Sequence, residues 1–374
     1  MDMPTPQADT FDIAPARLTI DTGAIAANWR TLAEHSGLAE TSAVLKADAY
    51  GLGAAPVARA LSRAGCRTFF VATVTEGVEL RRTLPEARIF VLSGLWAGWE
   101  DLCFAHDLIP VIASVEQLDF FRTIGRAHPH ALYVDTGMNR LGLSPEEAAN
   151  LSAAGARAPV MVMSHLACSD EPIHPLNHQQ LQSFQAIARL FAGVESSLSS
   201  SGGIFLGPDY HFDLIRPGIA LYGGEPIRGV ANPMQPVVTA EARILQIRDA
   251  TAGEKVSYGA TQTLTRDSRV AVVGAGYADG WHRSLSGSGV ALRQDRSPGA
   301  FGFVAGRKVP VIGRVTMDLT MFDITDISES HVKTGDYISL FGNGITLDEA
   351  ASAAGTIGYE LLTSLGKRYE RRYK

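Results

Sequence analysis

The feature that most constrains the fold of this chain is an alternation of short β-rich runs with helical stretches, beginning with a strand at 17–21 and a helix at 22–36. Helix starts such as Ser114 with Gln117, and Ser144-Pro145-Glu146-Glu147, lie between the runs. Eight strands with seven crossovers predict a closed (β/α)8 TIM barrel, with an open doubly wound sheet as the competitor. The eight predicted strands are 42–46, 68–73, 88–93, 109–113, 131–135, 160–164, 195–200 and 212–216.

The pattern changes around residues 229–237, where Pro233 and Pro236 interrupt the chain and strand-like runs follow without intervening helices. Two short helices near the C-terminus follow these runs, and the basic residues 367–374 are predicted to be a solvated end. The predicted organisation is a flexible tail at 1–16, a barrel at 17–236 and a mostly β C-terminal domain at 237–374.

Composition excludes several classes of function. Of the 374 residues, 46% are apolar and 19% charged, as in folded globular proteins. A net charge of −6 without a basic stripe argues against nucleic-acid partners and anionic membrane surfaces. Neither a secretory signal nor a membrane-length apolar run is recognisable, and three widely spaced cysteines suggest reduced thiols. We therefore expect a cytoplasmic protein without membrane partners.

One lysine stands at the end of the first barrel strand, in Ala43-Val44-Leu45-Lys46-Ala47-Asp48-Ala49-Tyr50-Gly51-Leu52-Gly53. A buried or cation-flanked lysine loses its proton and becomes a nucleophile towards carbonyls, as a Schiff base requires. Taken alone, these residues favour an ordinary lysine at the rim of a sheet. The barrel prediction adds that Lys46, Arg140, His165, Ser201 and Arg216 all fall at the carboxyl ends of strands, where barrels place their chemistry.

The segment Ile215-Arg216-Pro217-Gly218-Ile219-Ala220-Leu221-Tyr222-Gly223 follows the eighth predicted strand. Free N–H groups at the start of a short helix there would bind an anion such as phosphate, and Ser201 would add a hydroxyl. A plain turn explains these residues equally well.

Two other patterns favour structural explanations. Val272-Val273-Gly274-Ala275-Gly276-Tyr277-Ala278-Asp279 lacks the third glycine and the following helix of a dinucleotide site. His165, Cys168, His174 and His178 lack the compact ligand pairs of a zinc site. We predict no metal.

Six motifs are spread over nearly the whole chain after the tail. They are Lys46-Ala47-Asp48-Ala49-Tyr50-Gly51, Asp135-Thr136-Gly137-Met138-Asn139-Arg140-Leu141-Gly142, residues 216–223, Val256-Ser257-Tyr258-Gly259-Ala260-Thr261, Gly276-Tyr277-Ala278-Asp279-Gly280 and Gly313-Arg314-Val315-Thr316-Met317-Asp318. In this order, they resemble the motifs of the bacterial alanine racemases. The resemblance implies a fold-type III pyridoxal-phosphate enzyme with an N-terminal barrel and a C-terminal β domain.

The resemblance also implies residue roles. Lys46 is similar to the lysine that bonds to the cofactor and then acts as one acid/base group, and Tyr258 resembles the opposite base. Arg216 matches the arginine at the pyridine nitrogen, and with His165 it forms a hydrogen-bonded chain to Tyr258 in the family. Arg140 and the Met317 backbone would contact the substrate carboxylate. The cofactor phosphate would be held by Tyr50, Ser201, Gly218, Ile219 and Tyr359.

In the family, Tyr258 and Met317 reach the barrel of a second subunit, so the resemblance implies a homodimer with shared active sites. A narrow entrance that admits small amino acids is implied for Tyr277, Arg283, Arg314, Asp318 and Ile357. Two positions depart from the family: Tyr133 stands where a carbamate-forming lysine is frequent, and Ser200 where asparagine is usual.

The leading hypothesis is interconversion of L- and D-alanine by two bases, supplying D-alanine for peptidoglycan or consuming it in catabolism. Alternatives are a serine or broad-specificity racemase and a related decarboxylase of basic amino acids, although decarboxylases place a carboxylate where Arg216 stands. A third hypothesis is a pyridoxal-phosphate carrier of the single-barrel type, which would lack the second domain.

Overall fold

The computed structural model describes residues 10–124, 127–154, 157–290 and 299–374. The chain divides into two compact units. One holds Gly23–Gln235, and the other holds Pro236–Lys374 together with the N-terminal residues up to Thr22.

The first unit contains the predicted parallel strands. Their cores are continuous buried apolar runs such as Thr68–Val71 and Leu108–Ile112, as expected for a parallel sheet covered on both faces. Seven of them pair in chain order and in parallel. The strands of this unit are Glu40–Thr41, Ala43–Val44, Thr68–Val71, Arg88–Val91, Leu108–Ile112, Ala131–Tyr133, Met161–Met163, Glu195–Ser197 and Leu214–Ile215.

Leu214–Ile215 closes the sheet into a barrel. On one side it pairs in parallel with Glu40–Thr41, and Ser42 N donates to Ile215 O at 3.1 Å. On the other side Arg216 N donates to Ser199 O at 2.9 Å. The first and seventh strands therefore share the eighth as a neighbour, which confirms the predicted (β/α)8 barrel and excludes the open sheet.

Helices precede the first strand and connect the strands as far as the seventh. The longest, Pro175–Leu190, buries Leu181, Phe184 and Ile187 on one face. Two 3₁₀ turns, Gly203–Leu206 and Pro208–Tyr210, replace a helix between the seventh and eighth strands. The α-helices of the described part of this unit, apart from the segment after Lys46 considered below, are Thr22–Ser36, Ala54–Ala64, Val74–Thr83, Glu100–Ala105, Val115–Thr123, Pro145–Ala153 and Pro175–Leu190.

The two predicted helix starts, at Ser114 and Ser144, are both capped by the serine side chain but differ in their hydrogen bonds. Ser144 and Glu147 form a full capping box with Pro145 in the first turn. Ser114 accepts from Gln117 N at 3.2 Å, but the Gln117 side chain accepts from Ala113 N instead of completing the box. Gln117 therefore ties the helix start to the strand before it.

The second unit is mostly β, as predicted. Its long strand Val238–Ala250 pairs with three others, so that six strands form a closed ring. Thr346 caps the first of two closing helices, and Gly355 ends it in the left-handed conformation at φ 75°. The eight-stranded sheet contains Ala16–Ile20, Val238–Ala250, Ser268–Val273, Phe301–Val304, Arg307–Ile312, Thr320–Asp323, Tyr337–Phe341 and Glu370–Tyr373; Lys255–Val256 pairs with Gln262–Thr263, and the helices are Thr10–Ile13, Leu347–Ala354 and Gly358–Thr363.

Both ends of the chain differ from the prediction. Ala16–Ile20, predicted to start the barrel unit, lies in the β unit between Val238–Ala250 and Glu370–Tyr373. The first part of the predicted tail, 1–9, lies outside the described residues, while Thr10–Ile13 is helical. The C-terminal residues are an edge strand rather than a solvated end, because Glu370–Tyr373 pairs in parallel with Ala16–Ile20.

Candidate active site

The carboxyl ends of the barrel strands bring together the residues predicted there. Lys46, His165 and Arg216 each follow a strand within two residues, and Arg140 lies in the loop after Ala131–Tyr133. Their charges act on one another: both Arg216 and Arg140 disfavour a proton on His165, as does Lys46. The predicted cluster therefore exists within the barrel unit.

The Lys46 amine is biased towards its neutral form. Protein atoms that displace water around it lower its pKa, although the side chain remains open at the barrel mouth. The Arg140 guanidinium lowers this pKa further, while Glu76 opposes the shift. A larger fraction of neutral amine at a given pH makes Lys46 a better nucleophile and base.

The backbone after Lys46 is left-handed at four consecutive residues that are not glycine. Ala47, Asp48, Ala49 and Tyr50 have φ between 53° and 56°. For L-residues this conformation costs about 1–2 kcal/mol each, so it persists only where surrounding contacts hold it. Because β-carbon sterics oppose such a turn, nothing in the local sequence predicts it.

Glu76 holds the start of this turn, and sequence reasoning did not single it out. Its Oε1 accepts from Ala47 N at 2.8 Å, and its Oε2 accepts from Ala72 N at 2.7 Å. The same carboxylate completes the capping box of the helix Val74–Thr83 with Thr73. The Thr73-to-Glu76 spacing was the available signal, although it identifies only the cap.

Arg216 is buried and held in place by three hydrogen bonds. Its guanidinium donates to Ser197 Oγ, to Ser164 O and, at 3.3 Å, to Leu198 O. Burial lowers the pKa of Arg216 to about 10, so the group stays charged at neutral pH. Ser164 and Ser197 are therefore positioning residues that sequence reasoning missed, although the serine-rich stretch 196–201 was a visible signal.

His165 is held neutral. Burial, and then the charge of Arg216, lowers its pKa to about 3. The buried amide of Gln180, another residue missed from the sequence, donates to His165 O at 2.9 Å and accepts from Ala167 N at 2.8 Å. His165 can thus take part in hydrogen bonds but supplies no positive charge.

A cradle of N–H groups lies beyond Arg216. Gly218 N and Ala220 N both donate to the buried Ser201 Oγ, at 2.9 and 3.2 Å. A β-carbon at residue 218 would lie 2.3 Å from Tyr50 Oη, so only glycine permits this approach. Ile219, predicted to contribute its N–H, lies between the two donors and is buried.

Arg140 is carried by a tightly folded loop. Asp135 Oδ1 accepts from Gly137 N and Met138 N, both at 2.8 Å. The end of the loop is bonded to the strand Ala131–Tyr133, since Leu143 N donates to Tyr133 O at 2.9 Å. Arg140 itself is exposed at the mouth.

Tyr133 places a buried hydroxyl in the same region. Among the described residues its Oη makes no hydrogen bond of good geometry, although the Arg140 guanidinium lies close enough to act on it. Burial raises the pKa of the Tyr133 phenol, and the nearby charges of Arg216 and Arg140 oppose this shift. The phenol therefore stays protonated and has a donor to offer.

The β unit carries its own open depression of about 1020 Å³. Six predicted residues line it: Tyr258, Tyr277, Arg283, Arg314, Met317 and Asp318. Tyr258 is 73% exposed, in a 3₁₀ turn next to Ser257, whose Oγ donates to Arg314 O at 3.0 Å. Ile357 and Tyr359, at the start of the helix Gly358–Thr363, are not part of its lining.

The segments that were compared with a dinucleotide site and with a zinc site contain residues that bond to neighbouring parts of the fold. Asp279 accepts from Gly276 N at 2.9 Å and pairs with Arg368 at 2.7 Å, which ties the turn 276–279. His174 caps the helix Pro175–Leu190, and His178 contacts Gln182. Within the described ranges, no three His, Cys, Asp or Glu side chains form a metal-binding group, and no helix is long and apolar enough to cross a membrane.

A barrel with an amine of lowered pKa and backbone N–H groups gathered around a serine hydroxyl at the same rim is typical of enzymes that act on amino or carbonyl groups through a phosphate-bearing cofactor. The sequence profile described as "Alanine racemase, N-terminal domain" matches residues 20–226, and "Alanine racemase, C-terminal domain" matches residues 237–373. These matches cover both units, and the chain belongs to the alanine racemase family.

Individual relatives agree with this assignment. "Alanine racemase, biosynthetic" of Agrobacterium fabrum is 58% identical over 377 residues, covering 99% of this chain and 96% of the relative. Alanine racemase of Rhizobium meliloti is 57% identical over 374 residues, covering 98% of this chain and 99% of the relative. The crystal structure of alanine racemase from Bartonella henselae with covalently bound pyridoxal phosphate has a TM-score of 0.88 and 39% identity, covering 96% of this chain and 100% of that chain.

Proposed function

We propose that this chain is a pyridoxal-phosphate-dependent racemase that interconverts L-alanine and D-alanine. The observation that carries the proposal is the amine of Lys46, whose pKa is lowered, in the same barrel mouth as the buried cation of Arg216. Membership of the alanine racemase family supports alanine as the substrate.

The residues present fit the cofactor. The cradle formed by Ser201 and the N–H groups of Gly218 and Ala220 suits a phosphate, and a β-carbon at residue 218 would disrupt it. The orphaned hydroxyl of Tyr133 beside two guanidinium groups suits a further anionic or phenolic oxygen. The site is rich in donors, as an acidic ligand requires.

In this proposal Lys46 would bond to the cofactor, and its phosphate would be held by Tyr50, Ser201, Gly218, Ile219 and Tyr359. When bound, pyridoxal phosphate supplies an electron-withdrawing ring that acidifies the Cα–H bond of an amino acid. A guanidinium accepts no proton, so Arg216, which would face the ring nitrogen, would disfavour a second positive charge there. By keeping that nitrogen unprotonated, Arg216 would limit electron withdrawal and so disfavour decarboxylation and transamination.

Racemisation requires proton removal on one face of Cα and proton return on the other. Lys46 Nζ, with its lowered pKa, serves one face. Tyr258 Oη is proposed for the opposite face, and its exposure in the depression of the β unit supports its access to a substrate. Neutral His165 would connect Arg216 to Tyr258 by hydrogen bonds without adding a charge.

Substrate binding is assigned to two groups. Arg140 and the Met317 backbone would contact the carboxylate, and Tyr133 lies beside Arg140. Tyr277, Arg283, Arg314, Asp318 and Ile357 would form an entrance that admits small amino acids.

The proposal includes a homodimer in which Tyr258 and Met317 of one subunit complete the barrel site of the other. It also places the enzyme in the cytoplasm, where it supplies D-alanine for peptidoglycan or consumes it in catabolism. The three thiols, Cys66, Cys103 and Cys168, are all free, which supports a reducing compartment.

Chiral analysis of alanine after incubation of the purified holoenzyme tests the proposal. We expect either enantiomer to reach an equal mixture, with serine converted much more slowly. Faster conversion of serine would assign a broad-specificity racemase. Release of CO₂ from lysine, ornithine or diaminopimelate, without conversion of alanine, would contradict the proposal in favour of a decarboxylase.

A further inference from the structure

A second cavity lies at the other end of the barrel strands. Its volume is about 360 Å³. It opens at the amino-terminal ends of Ala131–Tyr133, Met161–Met163 and Glu195–Ser197, whereas the candidate active site lies beyond their carboxyl ends. Its walls are largely apolar and include Leu118, Phe121, Leu132, Leu151, Phe191 and Val194.

One polar group in this cavity is buried without a partner. His130 is only 4% exposed, and its Nδ1 has no hydrogen-bond partner among the described residues. Its ring packs against Phe121 with a centroid distance of 4.8 Å. Burial, together with Arg157 and Arg122, lowers the pKa of His130 to about 4, so the ring is neutral and one nitrogen carries a proton. Buried groups of this kind normally have a partner, which a molecule bound in the cavity would supply.

The charge around the cavity is positive. Arg122 and Arg157 belong to its lining, and none of the described lining residues is acidic. Arg122 forms an ion pair with the exposed carboxylate of Asp119 at 3.4 Å, and Arg157 donates to Ala127 O at 3.1 Å. Both guanidinium groups therefore retain donors for an anion.

We infer that this cavity binds a small monocarboxylate with an apolar tail of medium length. The carboxylate would accept hydrogen bonds from Arg157 and from His130 Nδ1, and the tail would cover the leucine and phenylalanine side chains. The volume suits a ligand much larger than alanine, whose side chain is a single methyl group. The inference goes beyond the proposed racemase activity and does not depend on it.

Calorimetric titration of the holoenzyme with octanoate tests the inference. We expect one saturable site per chain, with octan-1-ol and octylamine binding at least about tenfold more weakly because they lack a charge-assisted acceptor. Octanoate should bind equally in the presence of saturating alanine. If saturating alanine abolished octanoate binding, octanoate would bind in the active site and the inference would be overturned. The absence of saturable binding would also overturn it, because the cavity would then hold only water.

Two variants localise the site. Arg157→Ala should weaken octanoate binding about tenfold, whereas Arg189→Ala, which removes an arginine outside the lining, should not change it. Leu151→Trp should fill the cavity and abolish binding while racemase activity and thermal midpoint stay near wild type. Unchanged octanoate affinity in both Arg157→Ala and Leu151→Trp would contradict the assignment.

Discussion

At the scale of single residues, the barrel site contains two kinds of buried polar group. Arg216 donates to three oxygens of its own chain, so its position is fixed before any ligand binds. Tyr133 Oη makes no well-formed hydrogen bond in the part of the chain that the structure describes, although the Arg140 guanidinium is nearby. A buried hydroxyl without a hydrogen bond costs about 1–3 kcal/mol, and a ligand that accepts from it recovers part of that cost. We therefore expect Tyr133 to contribute to substrate binding rather than to stability.

Tyr133→Phe separates these two contributions. The variant should leave the free energy of unfolding unchanged or raise it by about 1 kcal/mol, since it removes an unpaired polar group. Its KM for alanine should rise several-fold. Urea denaturation and steady-state kinetics measure the two effects.

Tyr222→Phe is the matched control, because the buried Tyr222 Oη donates to Val44 O at 2.8 Å. Its loss should lower the free energy of unfolding by about 1 kcal/mol. If Tyr133→Phe were the more destabilising of the two variants, with KM unchanged, Tyr133 would be an ordinary core residue.

From the sequence, site residues could be predicted by their positions at strand ends but not by the contacts that they make. Lys46 and Arg216 could be predicted because strand ends are visible as the limits of apolar runs. The unpaired hydroxyl of Tyr133 could not be predicted, since its surroundings come from segments far apart in the sequence, among them Arg140 and Arg216. Glu76 and Gln180 were missed because their roles rest on hydrogen bonds to backbone groups of neighbouring segments, which the sequence does not display.

At the scale of elements, the left-handed turn after Lys46 is the unusual feature of the barrel unit. The helix Thr22–Ser36 was predicted with its observed bounds, because its periodicity is local. The turn runs against local preference and is held by contacts from elsewhere, among them Glu76 Oε1 on Ala47 N. Likewise, the strand Ala16–Ile20 was recognised but assigned to the wrong unit, because its pairing partners lie more than two hundred residues away.

Glu76→Gln tests how the turn controls Lys46. Glu76 raises the pKa of Lys46, so loss of its charge should lower that pKa. The pH midpoint for attachment of pyridoxal phosphate to the apoprotein should then move to lower pH. The absorbance change of the bound cofactor, followed from pH 6 to 10, measures the shift.

Glu79→Gln, on the same helix but exposed, is the control and should leave this midpoint unchanged. An identical midpoint in the wild-type protein and in Glu76→Gln would mean that Glu76 has no electrostatic influence on the amine.

At the scale of the whole molecule, the proposed machinery is divided between two units. Lys46 and Arg216 belong to the barrel, and Tyr258 and Met317 belong to the β unit. The assignment of the two bases to different subunits comes from the resemblance to the family, since neither composition nor periodicity specifies an assembly.

Mixing two inactive variants tests the shared site. Lys46→Ala and Tyr258→Phe should each abolish racemisation. After the subunits are dissociated and reassociated together, half of the dimers should be mixed, each with one intact site, giving about a quarter of wild-type activity. Should both bases of a site come from the same chain, the mixture would stay as inactive as its components.

The most direct test of the two-base account is deuterium exchange at Cα of each alanine enantiomer in D₂O, followed by NMR. Wild-type holoenzyme should exchange both enantiomers. Tyr258→Phe should retain exchange of the one enantiomer whose Cα proton faces Lys46 and lose exchange of the other, together with racemisation. Exchange of both enantiomers by Tyr258→Phe at wild-type rates would contradict the account.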